Sequence, residues 1–132
     1  MAPTPLDVAR LHQATHLTHP ATLRPDDEPF RGLWERGIRR SSLIPHHRLV
    51  ALTLATHADP ATGTIPDRHQ PYLDGLTADT GLPAGQVEIA LRALLDRGWI
   101  ARTDPSTTRD PGTARLHLQI RALALPGLRR GH

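Results

Sequence analysis

Histidine is the residue type of this sequence that most readily suggests a reactive site, because nine of the 132 residues are histidine. Three of them, His12, His16 and His19, are spaced i, i+4 and i+7, which would place three imidazoles on one face of a helix for a zinc ion. A helix end near Leu17, followed by Pro20, would break that alignment, and no carboxylate at matching spacing supports it. We therefore expect a polar surface here, with no metal site and no cofactor.

The sequence also lacks the motifs that would indicate catalysis. It contains no cysteine, so a thiol nucleophile, a disulfide and a thiolate metal site are all excluded. There is no glycine-rich phosphate loop, no G-x-S-x-G motif and no pair of carboxylates at a spacing suited to acid–base work. We therefore expect that the protein is not an enzyme.

The cationic residues are the other informative class, since all sixteen are arginine and none is lysine. A planar guanidinium can bind a phosphate through two parallel hydrogen bonds, which suits nucleic-acid contacts. The same bias, with abundant alanine, proline, glycine and leucine, is also typical of a GC-rich bacterial genome such as that of an actinobacterium. The isoelectric point near 10.9 and the net charge of +3 are therefore weaker indications of a nucleic-acid partner than the positions of the arginines.

The length and hydropathy of the chain limit its organisation. A chain of this size can form one domain with an appendage, and no run approaches the roughly 18 apolar residues of a membrane span. The N-terminal residues lack the basic-then-apolar order of a signal peptide. We expect a cytoplasmic protein without a membrane partner.

Residues 1–44 are predicted to be a helical extension, with a short helix over residues 5–17 and a proline-rich acidic connector after it. A second helix is indicated by apolar residues at helical spacing, namely Phe30, Leu33, Trp34 and Ile38. Gly32 and Gly37 each cost this helix up to about 1 kcal/mol relative to alanine, so it needs tertiary contacts. We expect the extension to dock on the main domain or on a second copy, with Phe30 and Trp34 as candidate dimer contacts.

The stretch from Tyr72 to Ile100 predicts two packed helices followed by a strand. The first helix ends at Gly81, where a positive φ is favourable. The second helix has apolar residues on one face: Val87, Ala90, Leu91, Leu94 and Leu95. Gly98 follows that helix, and Trp99 begins the strand.

Beyond residue 99 the apolar period changes from helical to alternating, which predicts a β-hairpin over residues 99–123. Its second strand places three apolar residues inward and four polar residues outward: Leu116, Leu118 and Ile120 against Arg115, His117, Gln119 and Arg121. The tip, residues 105–113, is polar and contains Arg109. The basic tail, residues 124–132, is expected to fray.

The segment TGLPAGQVEIALRALLDRGWI, with its glycine corner and its terminal Gly-Trp-Ile, resembles the helix-turn-helix of bacterial winged-helix DNA-binding domains. The resemblance covers roughly residues 45–121. It implies a mainly α fold with a small β-hairpin (α+β), with core helices near residues 45–58, 70–80 and 83–97 and a winged-helix domain over residues 45–123. Many winged helices also have a small first strand, which would correspond to residues 64–66.

In this family the second helix enters the major groove, which implies that its outward residues contact bases and phosphates. Of those positions in this chain, only Gln86 and Arg92 are conventional base or phosphate readers. Residues 72–97 contain four carboxylates against two arginines, a net charge of −2 that is unfavourable beside phosphates. This departure from the family's pattern shifts the expected phosphate contacts to the tail and above all to the wing, whose arginines are Arg102, Arg109, Arg115 and Arg121. The alternative is that these strand arginines simply face water.

The resemblance implies a small bacterial DNA-binding protein, such as a transcriptional, plasmid or phage regulator, that binds double-stranded DNA as a homodimer. The alternative is a winged-helix module for protein interaction or assembly without direct DNA contact. This alternative rests on the outward face of the second helix, where Ile89 stands beside the small residues Ala84, Gly85 and Ala93. Such a nearly uncharged patch suits docking against protein.

Overall fold

Five helices and one two-stranded antiparallel sheet make up the part of the chain that the computed structural model describes, residues 19–104 and 110–129. The elements, in chain order, are α1 (Phe30–Arg40), α2 (Pro45–Ala55), a 3₁₀ turn (Asp67–His69), α3 (Tyr72–Thr80), α4 (Ala84–Asp96), β1 (Ile100–Arg102), β2 (Leu116–Leu118) and α5 (Leu125–Leu128). The predicted mainly helical α+β class is confirmed. The helix predicted over residues 5–17 and the wing residue Arg109 lie outside the described residues.

Helices α2, α3 and α4 pack against one another, and α2 packs most extensively on α4. Helix α4 buries the residues that the periodicity predicted, Val87, Ala90, Leu91 and Leu94. Burial of a large aliphatic side chain contributes about 1.5–3 kcal/mol, so this face holds α4 to the core. Its opposite face is consequently fixed toward solvent.

The corner between α3 and α4 follows from its residues. Gly81 has φ 74°, a left-handed conformation that glycine adopts without the steric cost of a side chain. The Thr80 hydroxyl donates to Leu76 O at 2.6 Å and accepts a hydrogen bond from Leu82 N at 3.2 Å. The corner is therefore closed by local chemistry, as predicted.

The hairpin pairs β1 with β2, with Ile100 opposite Leu118 and Arg102 opposite Leu116. Leu116, Leu118 and Ile120 are all at most 3% exposed, so the predicted inward and outward alternation is confirmed. The paired strands are only three residues long each, shorter than predicted.

The strand predicted over residues 64–66 does not form, and the Gln70 side chain bridges Ile65 and β2 instead. Gln70 Nε2 donates to Ile65 O at 3.0 Å and to Leu116 O at 2.8 Å, and Leu116 N donates to Gln70 Oε1 at 3.1 Å. Pro66 has no N–H to offer a ladder. The segment still lies beside β2, because Leu118 N donates to Gly63 O at 2.9 Å.

Helix α1 docks on the rest of the chain, and its predicted apolar face is part of the same core as α2 and α4. Trp34 is fully buried and its Nε1 donates to Trp99 O at 2.8 Å. Gly37 leaves room for the Trp99 ring, since a Cβ there would lie 2.7 Å from the indole. Phe30 and Trp34 therefore contact their own chain, which corrects their assignment as candidate dimer contacts.

The tail is not frayed as far as Arg129, contrary to the prediction. Leu125 and Leu128 of α5 are buried in the shared core, and α5 packs on α1. Arg129 Nε lies 2.8 Å from Asp27 Oδ1, and Arg36 donates to the carbonyl of Leu128. The buried leucines and the ion pair supply the contacts that hold the tail in place.

Candidate nucleic-acid interface

The outward face of α4 presents Gly85, Ile89, Arg92 and Asp96, which are spaced by three or four residues. Gln86 is exposed beside this stripe, and Ile89 is 60% exposed. Arg92 is exposed and forms no ion pair with any described residue. The structure thus leaves both predicted reader residues of α4 accessible.

Three arginines line two adjoining recesses where α4 ends and the hairpin begins. Arg102 of β1 and Arg121, which follows β2, line one open groove of about 350 Å³ together with the last turn of α4. Arg121 also lines the adjacent recess together with Arg97, the C-terminal cap of α4. The cluster formed by Arg97, Arg102 and Arg121 is called the arginine cluster below.

Arg97 was not among the site residues predicted from the sequence. The available signal was its position, because a basic residue just before a Gly-Trp strand start lies at a helix C-terminus beside the hairpin. There it also interacts favourably with the helix dipole. Burial is the main cause that lowers the pKa of His47, and the positive charges of Arg97 and His46 lower it further. The Arg97 charge therefore reaches the N-terminal turn of α2.

Gly98 explains how Arg121 joins the cluster. Its φ of 76° ends α4, and the Arg121 side chain lies across it in space that a Cβ would fill. Arg121 Nη2 donates to Asp96 O at 3.3 Å, and Gln119 Nε2 donates to Gly98 O at 3.3 Å. A substituted residue at position 98 would displace the Arg121 guanidinium.

Arg115 lines neither of these two recesses and is paired with acids. Its guanidinium is 3.1 Å from Asp67 Oδ2 and 3.8 Å from Asp104 Oδ2. These contacts compensate part of the positive charge that the sequence analysis assigned to phosphate binding. Beside it, burial lowers the pKa of His117, so this wing histidine adds no charge at neutral pH.

Metal and membrane chemistry receive no support from the described residues. Within residues 19–104 and 110–129, no group of three or more metal-ligating side chains is present. Of the spaced histidines, only His19 falls in that range. Over the same part of the chain, every helix is too short or too polar to cross a bilayer.

No protein-family model matches the chain, and neither the curated proteins nor the solved structures contain a match to it.

Proposed function

We propose that the protein is a small bacterial DNA-binding protein that uses a winged helix to bind double-stranded DNA. The observation that carries the proposal is the arginine cluster, in which Arg97 at the end of α4, Arg102 of β1 and Arg121 after β2 line adjoining recesses of one surface. Like charges on one surface repel one another, and a polyanion such as the DNA backbone would relieve that repulsion beyond what Asp96, which also lines the groove, can offset.

The arrangement of elements supports the same proposal. Helices α3 and α4 meet at the Gly81 corner and pack on α2, and a hairpin follows directly after α4. This order is compatible with a helix-turn-helix that carries a wing. In that frame Gln86 and Arg92 face the major groove, and the arginine cluster contacts the backbone.

A surface of this composition binds mainly through phosphates. We therefore propose sequence-tolerant binding with a strong salt dependence, refined by the few base contacts of Gln86 and Arg92. One such domain covers little DNA, so a homodimer on a symmetric or repeated site would raise the affinity. A cytoplasmic transcriptional, plasmid or phage regulator fits these properties.

The test is a fluorescence-anisotropy titration of a labelled DNA duplex at about 50 and 200 mM salt. Replacing Arg97 with Gln removes one cation that lacks an ion-pair partner among the described residues. We expect weaker binding on every sequence and a salt slope reduced by about 1. Arg92→Gln should in addition change the preference among duplexes.

The matched control is Arg31→Gln on α1, because Arg31 is paired with Glu35 at 3.5 Å. This variant has the same change in net charge as Arg97→Gln. Equal losses of duplex affinity in both variants would show that only the net charge matters. If the unsubstituted protein does not bind the duplex at low salt, the DNA-binding proposal is rejected.

A protein-interaction module is the second candidate function, and the exposure of Ile89 is the observation that favours it. An isoleucine that is 60% exposed, beside the exposed Gly85, offers an apolar contact that phosphates do not need. In this alternative, α4 docks on a protein partner and the arginine cluster binds an anion other than DNA.

A further inference from the structure

A recess beside the arginine cluster has the features of a small-molecule site. It has a volume of about 300 Å³ and lies between the C-terminal end of α4 and the turn that leads into α5. Its lining consists of Arg97, Gly98, Trp99, Arg121, Leu123 and Ala124. Two of these residues are cations and none is an acid.

The apolar part of the recess is exposed rather than covered by the described chain. Leu123 is 67% exposed, the largest exposure among the bulky apolar residues that the structure describes. Trp99 is half-buried, with one edge packed against Gly37 and the core. An apolar ligand between these two side chains would remove their surface from water, which favours binding.

Neither cation at the rim forms an ion pair with a described residue. Arg97 forms no ion pair within the described residues, and Arg121 Nη2 donates only to a neutral acceptor there, the Asp96 carbonyl. The buried Nε of Arg121 has no hydrogen-bond partner in that part of the chain. Its charge therefore lacks a carboxylate counterion at this position.

We propose that this recess binds a small aromatic monocarboxylate, whose ring lies between Trp99 and Leu123 and whose carboxylate is held by Arg97 and Arg121. A guanidinium pair fits a planar carboxylate, and the apolar wall fits a flat ring. A volume of about 300 Å³ is at the small end of ligand pockets and accommodates one ring with a short acid side chain.

The ligand would use two members of the arginine cluster. Phosphate and carboxylate would then compete for Arg97 and Arg121, and the acid would release DNA. This consequence rests on the proposed function, whereas binding of the acid does not.

The test is a titration of the full-length protein with phenylacetate in the absence of DNA, followed by tryptophan fluorescence excited near 295 nm. Trp99 lines the recess, whereas Trp34 is fully buried and serves as a constant background. We expect a saturable change with phenylacetate and at least about tenfold weaker binding of the neutral isostere phenylacetamide, because a charge-assisted hydrogen bond contributes about 1.5–3 kcal/mol.

Arg97→Gln should weaken phenylacetate binding by about tenfold or more. Its matched control is Arg31→Gln, which removes the same charge from α1, outside the recess, where Arg31 is paired with Glu35 at 3.5 Å, and it should leave the affinity unchanged. Equal affinities for the acid and the amide would overturn the proposal, as would a linear, unsaturable response or an unchanged affinity in Arg97→Gln. If the protein binds phenylacetate but no DNA duplex, the proposed DNA-binding function is rejected and the proposal of an aromatic-acid site is retained.

Discussion

The Gln70 side chain connects two segments of the chain at a place where a further strand was predicted. Its amide makes three hydrogen bonds, to Ile65 O, Leu116 O and Leu116 N, and so joins the segment before α3 to β2. A primary amide can mimic a backbone peptide because it has both a donor and an acceptor group. The Gln70 side chain therefore supports the outer edge of β2, although residues 64–66 form no strand there.

Replacing Gln70 with Leu should lower the free energy of unfolding by about 1–3 kcal/mol for each buried backbone group left unpaired. The measurement is urea denaturation of the variant beside the parent protein. Arg68→Leu is the control, since Arg68 lies exposed in the same turn and should change stability by no more than about 0.5 kcal/mol. A Gln70 variant as stable as the control would show that water replaces the amide at no cost.

At the scale of the element, α4 has two faces that are determined differently. The buried face follows from periodicity, and all four of its central apolar residues are below 1% exposed. The outward face has no such constraint, because surface substitutions usually change stability by less than about 0.5 kcal/mol. Its mixture of Ile89, Arg92 and Asp96 is therefore free to serve binding, and mutation can separate DNA contact from protein contact.

Ile89→Glu should dissolve a dimer if α4 docks on protein, because a carboxylate would be buried at the interface without a partner. The oligomeric state is measured by light scattering across protein concentrations. Gln86→Glu is the matched control, since it adds the same charge at another exposed position of α4. If both variants keep the oligomer while weakening duplex binding, α4 faces DNA and the protein-interaction alternative is rejected.

At the scale of the whole molecule, the two ends of the described chain are joined. Ala21 N donates to Ile120 O at 2.6 Å, Ala122 N donates to His19 O at 2.8 Å, and the Asp27–Arg129 pair follows on the same side. The Asp27 carboxylate and the Arg129 side chain are only 7% and 17% exposed. The hydrogen bond from Arg129 is the largest cause that lowers the pKa of Asp27 below its usual 3.8. These contacts attach the tail to the described part of the extension, and both pack on the helical core.

Arg129→Ala should lower the free energy of unfolding at pH 7, and the difference from the parent should shrink as the pH falls. Because the pKa of Asp27 is lower in the folded state, the stabilisation is fully present above pH 3.8 and is lost as the pH drops through the folded value. Urea midpoints at neutral and acidic pH measure this change. Arg39→Ala is the control, since Arg39 is 59% exposed and lies 4.0 Å from Glu35. A pH-independent difference for Arg129→Ala would show that its contribution is packing rather than charge.

The sequence by itself determined the elements whose signals are local. The periodicity of α1 and α4, the Gly81 corner and the alternation of Leu116, Leu118 and Ile120 all reflect which side chains must leave water within a few turns of chain. These features are predictable because a helix or strand repeats its own geometry. The α+β class follows from them.

Only the tertiary structure decided where those elements meet and which charges remain unpaired. Trp34 is buried because Trp99 supplies its acceptor 65 positions away, and the tail is ordered because Asp27 reaches Arg129. The charge of Arg115 is partly compensated by Asp67, 48 positions away, whereas Arg97 and Arg121 line one recess beside Gly98. Charges interact through space rather than along the chain, so a count over residues 72–97 gives the sign of that segment but not the position of the arginine cluster.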